Sequence, residues 1–118
     1  MPIFHYVVLT EAKPGRLAEF EEWYDNRHLQ DVVAVPGVRS ARRYRLISEI
    51  TDQVERAPWS SLAIYEVDAG DPVAATRKFS ELARTPAMPV SDALVWDTRL
   101  KIIGELVSEI TAPEGRER

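Results

Sequence analysis

The chain has 118 residues. This is below the roughly 150 residues used as a prior for one domain, so we expect a single globular unit without a regulatory module. Its 15 Lys and Arg against 19 Asp and Glu give a net charge of −4, which argues against the basic surface of a nucleic-acid or anionic-membrane binder. The chain contains no cysteine, which excludes disulfides, thiolate metal sites and cysteine nucleophiles.

The predicted elements alternate between strands and helices. Residues 3–10 are rich in β-branched and aromatic side chains and predict a first strand, which stops at the breaker cluster of residues 13–15. Residues 16–35 predict a helix, which Pro36 and Gly37 end because proline disfavours helical geometry in the residue before it.

The second half of the chain continues the alternation. Residues 38–49 predict a second strand, and residues 59–67 predict a third after a polar loop. Asp71 followed by Pro72 is typical of a helix start, because Asp can cap free amides and Pro loses no hydrogen bond at the first position. This helix is expected to reach about residue 84.

Residues 94–106 predict a fourth strand, which completes a βαββαβ order. That order is typical of a ferredoxin-like α+β fold, with two helices on one face of an antiparallel sheet. Apolar residues occur on both alternating faces of the strands, so we expect a homodimer packed sheet against sheet to cover the second face. We expect one domain over residues 1–110 and a flexible tail over residues 111–118.

The ends and the hydropathy of the chain bear on its location. The N-terminus lacks the features of a secretion signal, and no apolar stretch approaches the ~18 residues that cross a bilayer. We therefore expect a cytoplasmic protein that does not insert into membranes.

One face of the first helix carries residues at steps of three and four: Leu17, Phe20, Tyr24, His28 and Asp31. The face turns polar in its last two turns, and buried polar groups cost about 1–3 kcal/mol each unless they are hydrogen-bonded. A cleft with a substrate would satisfy them. We therefore interpret His28 as an acid or base oriented by Asp31, with Tyr24 bonding a substrate oxygen. The alternative is a structural role for His28 at the helix end.

His5 in the first strand is a second candidate proton carrier. Both faces of that strand are apolar, so periodicity leaves open whether His5 shares a cavity with His28 or faces a dimer partner. Trp23 and Phe20 are candidate substrate-binding residues. Trp23 and Tyr24 would form aromatic walls, although aromatic residues at helical spacing more often belong to a core.

The second strand carries four arginines without an intervening acid: Arg39, Arg42, Arg43 and Arg45. The first helix is predominantly acidic, so pairing within the chain or across a dimer is the simplest explanation. The alternative is anion binding. If the substrate is a carboxylate, Arg42 or Arg43 would hold it.

Several familiar sites do not occur in the sequence. It contains no Gly-rich phosphate loop, no His-x-x-x-His metal spacing and no Gly-x-Ser-x-Gly nucleophile motif. With two histidines and no cysteine, we expect neither a dedicated metal site nor a resident cofactor. The expected partners are a small-molecule substrate and a second copy of the chain.

Residues 23–32, followed by Val-Pro-Gly-Val at 35–38, resemble the dimeric α/β-barrel superfamily and its EthD-like members. These often carry an aromatic pair, a histidine a few residues later and Val-Pro-Gly before the second strand. Gln30 departs from members with proline after the histidine, so the helix should be more continuous here. The resemblance implies a homodimeric barrel with a pocket in each subunit, and His5 resembles a pocket histidine of some cyclases.

The residues and the resemblance together predict a cofactor-independent enzyme. Its chemistry would be proton transfer of the lyase, isomerase or cyclase kind on an aromatic, polyketide-like or catabolic intermediate. Two alternatives stay open, because a fold does not define an activity. One is a monooxygenase, either cofactor-free or heme-dependent, and the other is a non-catalytic ligand-binding or stress-associated dimer.

Overall fold

A computed structural model describes residues 2–47 and 58–115, and its elements follow the predicted order. The strands are β1 (Phe4–Ala12), β2 (Val38–Arg45), β3 (Ser61–Val67) and β4 (Leu94–Glu105). The first helical region comprises α1 (Leu17–Trp23), a π-helical turn (Tyr24–His28) and α2 (Leu29–Val33), and the second is α3 (Pro72–Leu82).

The four strands form one antiparallel sheet in the order β2-β3-β1-β4. This is the predicted ferredoxin-like α+β arrangement, which is confirmed. The second strand ends at Arg45 rather than at residue 49, and the end of that prediction and most of the polar loop after it lie outside the described residues. Residues 106–115 form neither helix nor strand and are exposed, and the division into one domain and a flexible tail stays a prediction.

The hydrophobic core lies between the helices and one face of the sheet, here called the inner face. In β3 the residues alternate between buried and half-buried, because successive side chains of a strand point to opposite faces. The core contains Tyr6 and Tyr65 from the sheet, Phe20 and Tyr24 from the first helical region, and Phe79 from α3. The site described below lies within this aromatic layer.

Two predicted helix boundaries have the expected local causes. The side chain of Asp71 accepts a hydrogen bond from the amide of Ala74 at 3.1 Å, and Pro72 follows at the first helical position. After α2, Gly37 adopts φ +96°, a conformation that side chains rarely permit. Its carbonyl accepts a hydrogen bond from Asp68 at 2.7 Å and joins the turn to the end of β3.

The opposite face of the sheet, here called the outer face, exposes large apolar side chains. Tyr44 is 45% exposed and Ile102 is 52% exposed. Val107 and Ile110, beyond β4, are more than 90% exposed. No helix in residues 2–47 and 58–115 is long and apolar enough to span a bilayer.

Candidate functional site

A cavity of about 210 Å³ lies between the helices and the inner face of the sheet. Apolar cavities of roughly 150 Å³ take up benzene, so this one has room for a ligand with a single substituted ring. Every helix and strand except β2 contributes to its walls, which are formed by Tyr6, Val8, Thr10, Trp23, Tyr24, His28, Val32, Tyr65, Phe79, Ser80, Ala83, Met88, Val90, Leu94, Trp96, Arg99 and Lys101.

The π-helical turn determines which side chains of the first helical region face the cavity. The amide of Leu29 bonds to the carbonyl of Tyr24, five residues earlier, instead of four as in an α-helix. The extra residue advances the register, so Val32 is buried and Asp31 is displaced from the inward face. The prediction that Asp31 lies on the inward face of the first helix is therefore wrong. It is also wrong for Leu17, which is 41% exposed.

His28 occupies the cavity wall as predicted. Its imidazole stacks on Trp23, with 4.6 Å between ring centroids, and meets Tyr24 edge-on at 5.0 Å. Its Nδ1 atom is buried and has no hydrogen-bond partner among the described residues. Burial lowers the pKa of His28 to about 4, against a weaker opposing effect of Asp31. The imidazole is consequently neutral near pH 7.

The expected orientation of His28 by Asp31 is wrong. Asp31 Oδ2 accepts a hydrogen bond from Arg27 Nε at 2.7 Å, one helical turn away on the surface. Because the register shift moves Asp31 away from the cavity, its carboxylate finds this cation instead of the imidazole. The ring of His28 is held by aromatic packing.

Hydroxyl groups converge in the cavity beside His28. Burial raises the pKa of Tyr24, and the nearby hydroxyls of Tyr65 and Thr10 offset part of that rise. The hydroxyl oxygens of Tyr65 and Thr10 are buried and lie close enough to the Tyr24 hydroxyl to affect its pKa, but the geometry gives neither of them a hydrogen-bond partner among the described residues. Burial also raises the pKa of Tyr6 to about 12. All four groups are protonated at neutral pH and can donate to a ligand oxygen.

The two aromatic candidates for substrate binding have different positions. Trp23 lines the cavity, and its Nε1 donates to the carbonyl of Pro89 at 3.0 Å, which fixes the segment after α3 against the helix. Phe20 is fully buried and packs behind Trp23 and Tyr24, at centroid distances of 6.1 and 5.5 Å. Phe20 is therefore a core residue that supports the wall without forming it.

His5 and Arg42 lie on the outer face, away from the cavity. His5 alternates with Tyr6, which is buried on the inner face, and it borders a separate outer recess together with Arg42. The prediction that both histidines share one cavity is therefore wrong, and the alternative of an outward-facing His5 is correct. Neither residue can contact a ligand beside His28.

Arg43 is on the inner face but is engaged in ion pairs. It donates to both carboxylate oxygens of Asp25, at 2.5 and 2.9 Å, and to Glu21 at 3.3 Å. Arg45 also binds Glu21. The predicted pairing of the basic strand with the acidic helix is confirmed within the chain, and the hypothesis that Arg43 holds a substrate loses its basis.

Three cavity residues were not among the predicted site residues: Arg99, Lys101 and Trp96. The pairing of β1 with β4 is irregular between Leu9 and Glu11, where four residues of β4, 96–99, lie opposite Thr10 alone. Such a bulge redirects side chains. The alternation of Arg99 and Lys101 with apolar residues in a predicted strand is the signal that would have identified them.

The described residues contain no group of three or more His, Cys, Asp or Glu side chains that could hold a metal ion. The site thus consists of a neutral imidazole, phenolic and aliphatic hydroxyls, and two cationic side chains in a cavity of aromatic and aliphatic residues. Such a set can bind a ring, donate hydrogen bonds to its oxygens and exchange a proton with it.

Neither a family model nor a curated protein sequence matches the chain. Solved structures resemble it. A protein from Shewanella loihica PV-4, provisionally named a monooxygenase, has a TM-score of 0.59 and 13% identity, with 92% of this chain and 99% of that chain covered. An EthD family protein from Bacillus halodurans C-125 has a TM-score of 0.54 and 14% identity, with 91% and 100% covered.

A DABB family protein with a ferredoxin-like fold, from Mesorhizobium loti, has a TM-score of 0.53 and 14% identity, with 92% of this chain and 99% of that chain covered. These likenesses establish the fold. The chain is a ferredoxin-like α+β protein of the kind found among EthD and DABB family structures, in agreement with the resemblance predicted from residues 23–38.

Proposed function

We propose that the protein is an enzyme that transfers a proton to or from a small, ring-containing molecule bound in the cavity. One observation carries the proposal. The three buried side-chain polar atoms without a partner among the described residues are Thr10 Oγ1, His28 Nδ1 and Tyr65 Oη, and all three belong to residues of the cavity wall. Each would cost about 1–3 kcal/mol if left unpaired, so a ligand that pairs with them offsets a penalty in the fold.

His28 would act as the proton acceptor. With its proton on Nε2, the unpaired Nδ1 is an acceptor in a residue of the cavity wall, and the low pKa keeps the ring neutral at neutral pH. Trp23 holds the ring by stacking, so the acceptor is positioned before a substrate arrives.

The hydroxyls of Tyr24, Tyr65 and Thr10 would bind the oxygen on which negative charge develops. Because burial raises the pKa of both tyrosines, they stay hydrogen-bond donors in the neutral range. Donors that are fixed in a largely apolar cavity stabilise an enolate or phenolate because they need no reorganisation as the charge develops. This chemistry suits a lyase, isomerase or cyclase that needs no cofactor.

A monooxygenase reaction is the second candidate, favoured by the name of the Shewanella loihica protein and by the enclosed aromatic cavity. A substrate carbanion formed beside His28 could reduce oxygen directly. A heme does not fit this cavity. Drug-sized ligands, which are smaller than a heme, typically occupy pockets of roughly 300–1,000 Å³. This cavity measures about 210 Å³. Oxygen uptake during turnover would distinguish an oxygenase from a lyase or isomerase.

The proposal is tested by enolisation of a ring ketone. The probe is 1-indanone in D2O, with loss of its α-proton signals followed by NMR. Wild-type protein should accelerate the exchange, and His28→Gln should reduce that acceleration at least about 100-fold. His5→Gln is the matched control, because His5 lies on the outer face and its loss should leave the rate unchanged. Exchange that is equally fast in His28→Gln would contradict the role of His28, and binding without exchange would favour a non-catalytic ligand-binding protein.

We also propose that the protein is a homodimer joined through the outer faces of two sheets. The support is the apolar outer face, on which Tyr44 and Ile102 are about half-exposed, together with the exposed Val107 and Ile110 after β4. Contiguous exposed apolar surface marks interaction sites. A cytoplasmic location stays a prediction of the sequence.

A further inference from the structure

Two cationic side chains line the cavity without a carboxylate to neutralise them. Arg99 and Lys101 belong to its wall, and no Asp or Glu does. Neither side chain forms an ion pair within the described part of the chain. Burial is the main reason why the pKa values of both residues are lowered, and Asp97 opposes that shift at Arg99 only weakly, so the two charges are partly desolvated.

A third cation lies close to this pair. The guanidinium carbons of Arg84 and Arg99 are 3.5 and 3.4 Å from the ring centroid of Trp96, which requires that they occupy opposite faces of the indole. The Arg99 side chain also donates from Nε to the carbonyl of Trp96 at 2.8 Å, so its position is fixed. Like charges at this spacing repel each other, and the protein as a whole carries a net charge of −4. The local excess of positive charge is therefore specific to this end of the cavity.

A second recess adjoins the cavity on the same side. It has a volume of about 250 Å³, lies between α3 and β4, and shares Tyr6, Ser80 and Lys101 with the cavity wall. It adds Arg77, and again no acidic residue lines it. Lys101 therefore belongs to the wall that separates an aromatic enclosure from a basic groove.

We propose that the cavity takes a ligand with an unsaturated ring and a carboxylate, the ring lying among the tyrosines and the carboxylate between Arg99 and Lys101. This inference rests on the proposed function and specifies its substrate class. The fork of a guanidinium matches the two oxygens of a carboxylate, and an ammonium adds a point charge. Stacking on Trp96 positions the guanidinium of Arg99 before a ligand binds. The adjoining groove leaves room for a further substituent near the carboxylate of the ligand.

The test compares an acid with its neutral isostere. The probes are 3-phenylpropionate and 3-phenylpropionamide, and binding is followed by calorimetry and by the fluorescence of Trp23 and Trp96, which both line the cavity. Wild-type protein should bind the acid about tenfold more tightly than the amide, as expected for a charge-assisted hydrogen bond. Lys101→Gln and Arg99→Gln should each reduce this preference, because the acid loses more affinity than the amide when a cation is removed.

Lys78→Gln is the matched control, because Lys78 is exposed on α3 and lines neither the cavity nor the groove. It should keep the wild-type preference. Equal binding of acid and amide by wild-type protein would overturn the carboxylate proposal and leave the cavity as a ligand site. Binding of neither probe would overturn the proposed function too. If Arg99→Gln does not fold, the Lys101→Gln comparison decides alone.

Discussion

The imidazole of His28 stacks on the indole of Trp23, with 4.6 Å between the ring centroids and 26° between the ring planes. The stacked ring is largely removed from water, and this burial lowers its pKa to about 4. A histidine ordinarily changes charge near pH 6.5, whereas His28 keeps one charge state across the neutral range. The neutral imidazole therefore offers an acceptor nitrogen throughout that range.

The low pKa gives a direct prediction for NMR. A titration of the imidazole signals should give a midpoint of about 4 for His28. The variant His5→Gln leaves one imidazole and so assigns the signal. The acid limb of kcat/KM for any proton-transfer reaction at this site should fall at the same pH. A His28 midpoint near 6.5 would show that the imidazole is solvated.

The same shift makes stability depend on pH. The folded pKa of His28 is about 4, and the unfolded value is about 6.5. The unfolded chain therefore takes up the proton first as the pH falls. His28 thus lowers the free energy of unfolding as the pH falls from about 6.5 to 4, by on the order of 3 kcal/mol.

Urea unfolding of wild-type protein and His28→Gln at several pH values in this range measures that contribution. The carboxylates titrate alike in both proteins, so the difference between the two curves isolates the imidazole. Parallel curves would refute the linkage.

Replacement of Tyr65 by Phe separates stability from binding. The Tyr65 hydroxyl is buried and has no partner among the described residues, so its removal should leave the free energy of unfolding unchanged or raise it by about 1 kcal/mol. Binding of ring ligands that carry an oxygen should weaken. Tyr44→Phe, at an exposed position of β2, serves as the control in both assays. A loss of stability above about 1 kcal/mol would mean that the hydroxyl has a partner within the protein.

The ion pairs of Arg43 should stabilise the fold. Its side chain is only 8% exposed and binds Asp25 and Glu21, so Arg43→Ala leaves Asp25 without its cation and Glu21 with Arg45 alone. We expect a loss of about 3 kcal/mol in the free energy of unfolding. Arg39→Ala should cost less than about 1 kcal/mol, because the Arg39 side chain is 63% exposed and its ion pairs are long. Equal losses in the two variants would show that burial does not strengthen the Arg43 pairs.

The proposed dimer can be disrupted on the outer face. Ile102 is 52% exposed there, and Ile102→Glu would place a charge in an apolar interface. Sedimentation at micromolar concentration should show dimers for wild-type protein and monomers for this variant. Val33→Glu, on an exposed position of α2, should leave the dimer intact. A monomeric wild-type protein would contradict the proposal.

The sequence determined the fold because each element carries its own local signal. Strand alternation, the Asp71 cap and the turn at Gly37 depend on neighbours within a few residues, so they could be predicted without tertiary contacts. The same holds for the charge pairing of the first helix with the second strand, since opposite charges on adjacent elements attract wherever they meet. His28 and Tyr24 were identified because polar side chains on the inward face of a helix need hydrogen-bond partners, which a bound ligand can supply.

Tertiary structure alone decided which of the other candidates belong to the site. His5 lies on a strand with two apolar faces, so only the packing of the helices defined which face is inner. Asp31 does not face the cavity because the extra residue in the π-helical turn rotates the following residues about the helix axis. The residue types in the turn did not predict it. Arg99 and Lys101 reach the cavity because β4 pairs with β1, with Lys101 opposite Val8 of the inner face, and this pairing depends on contacts between residues some 90 positions apart in the chain.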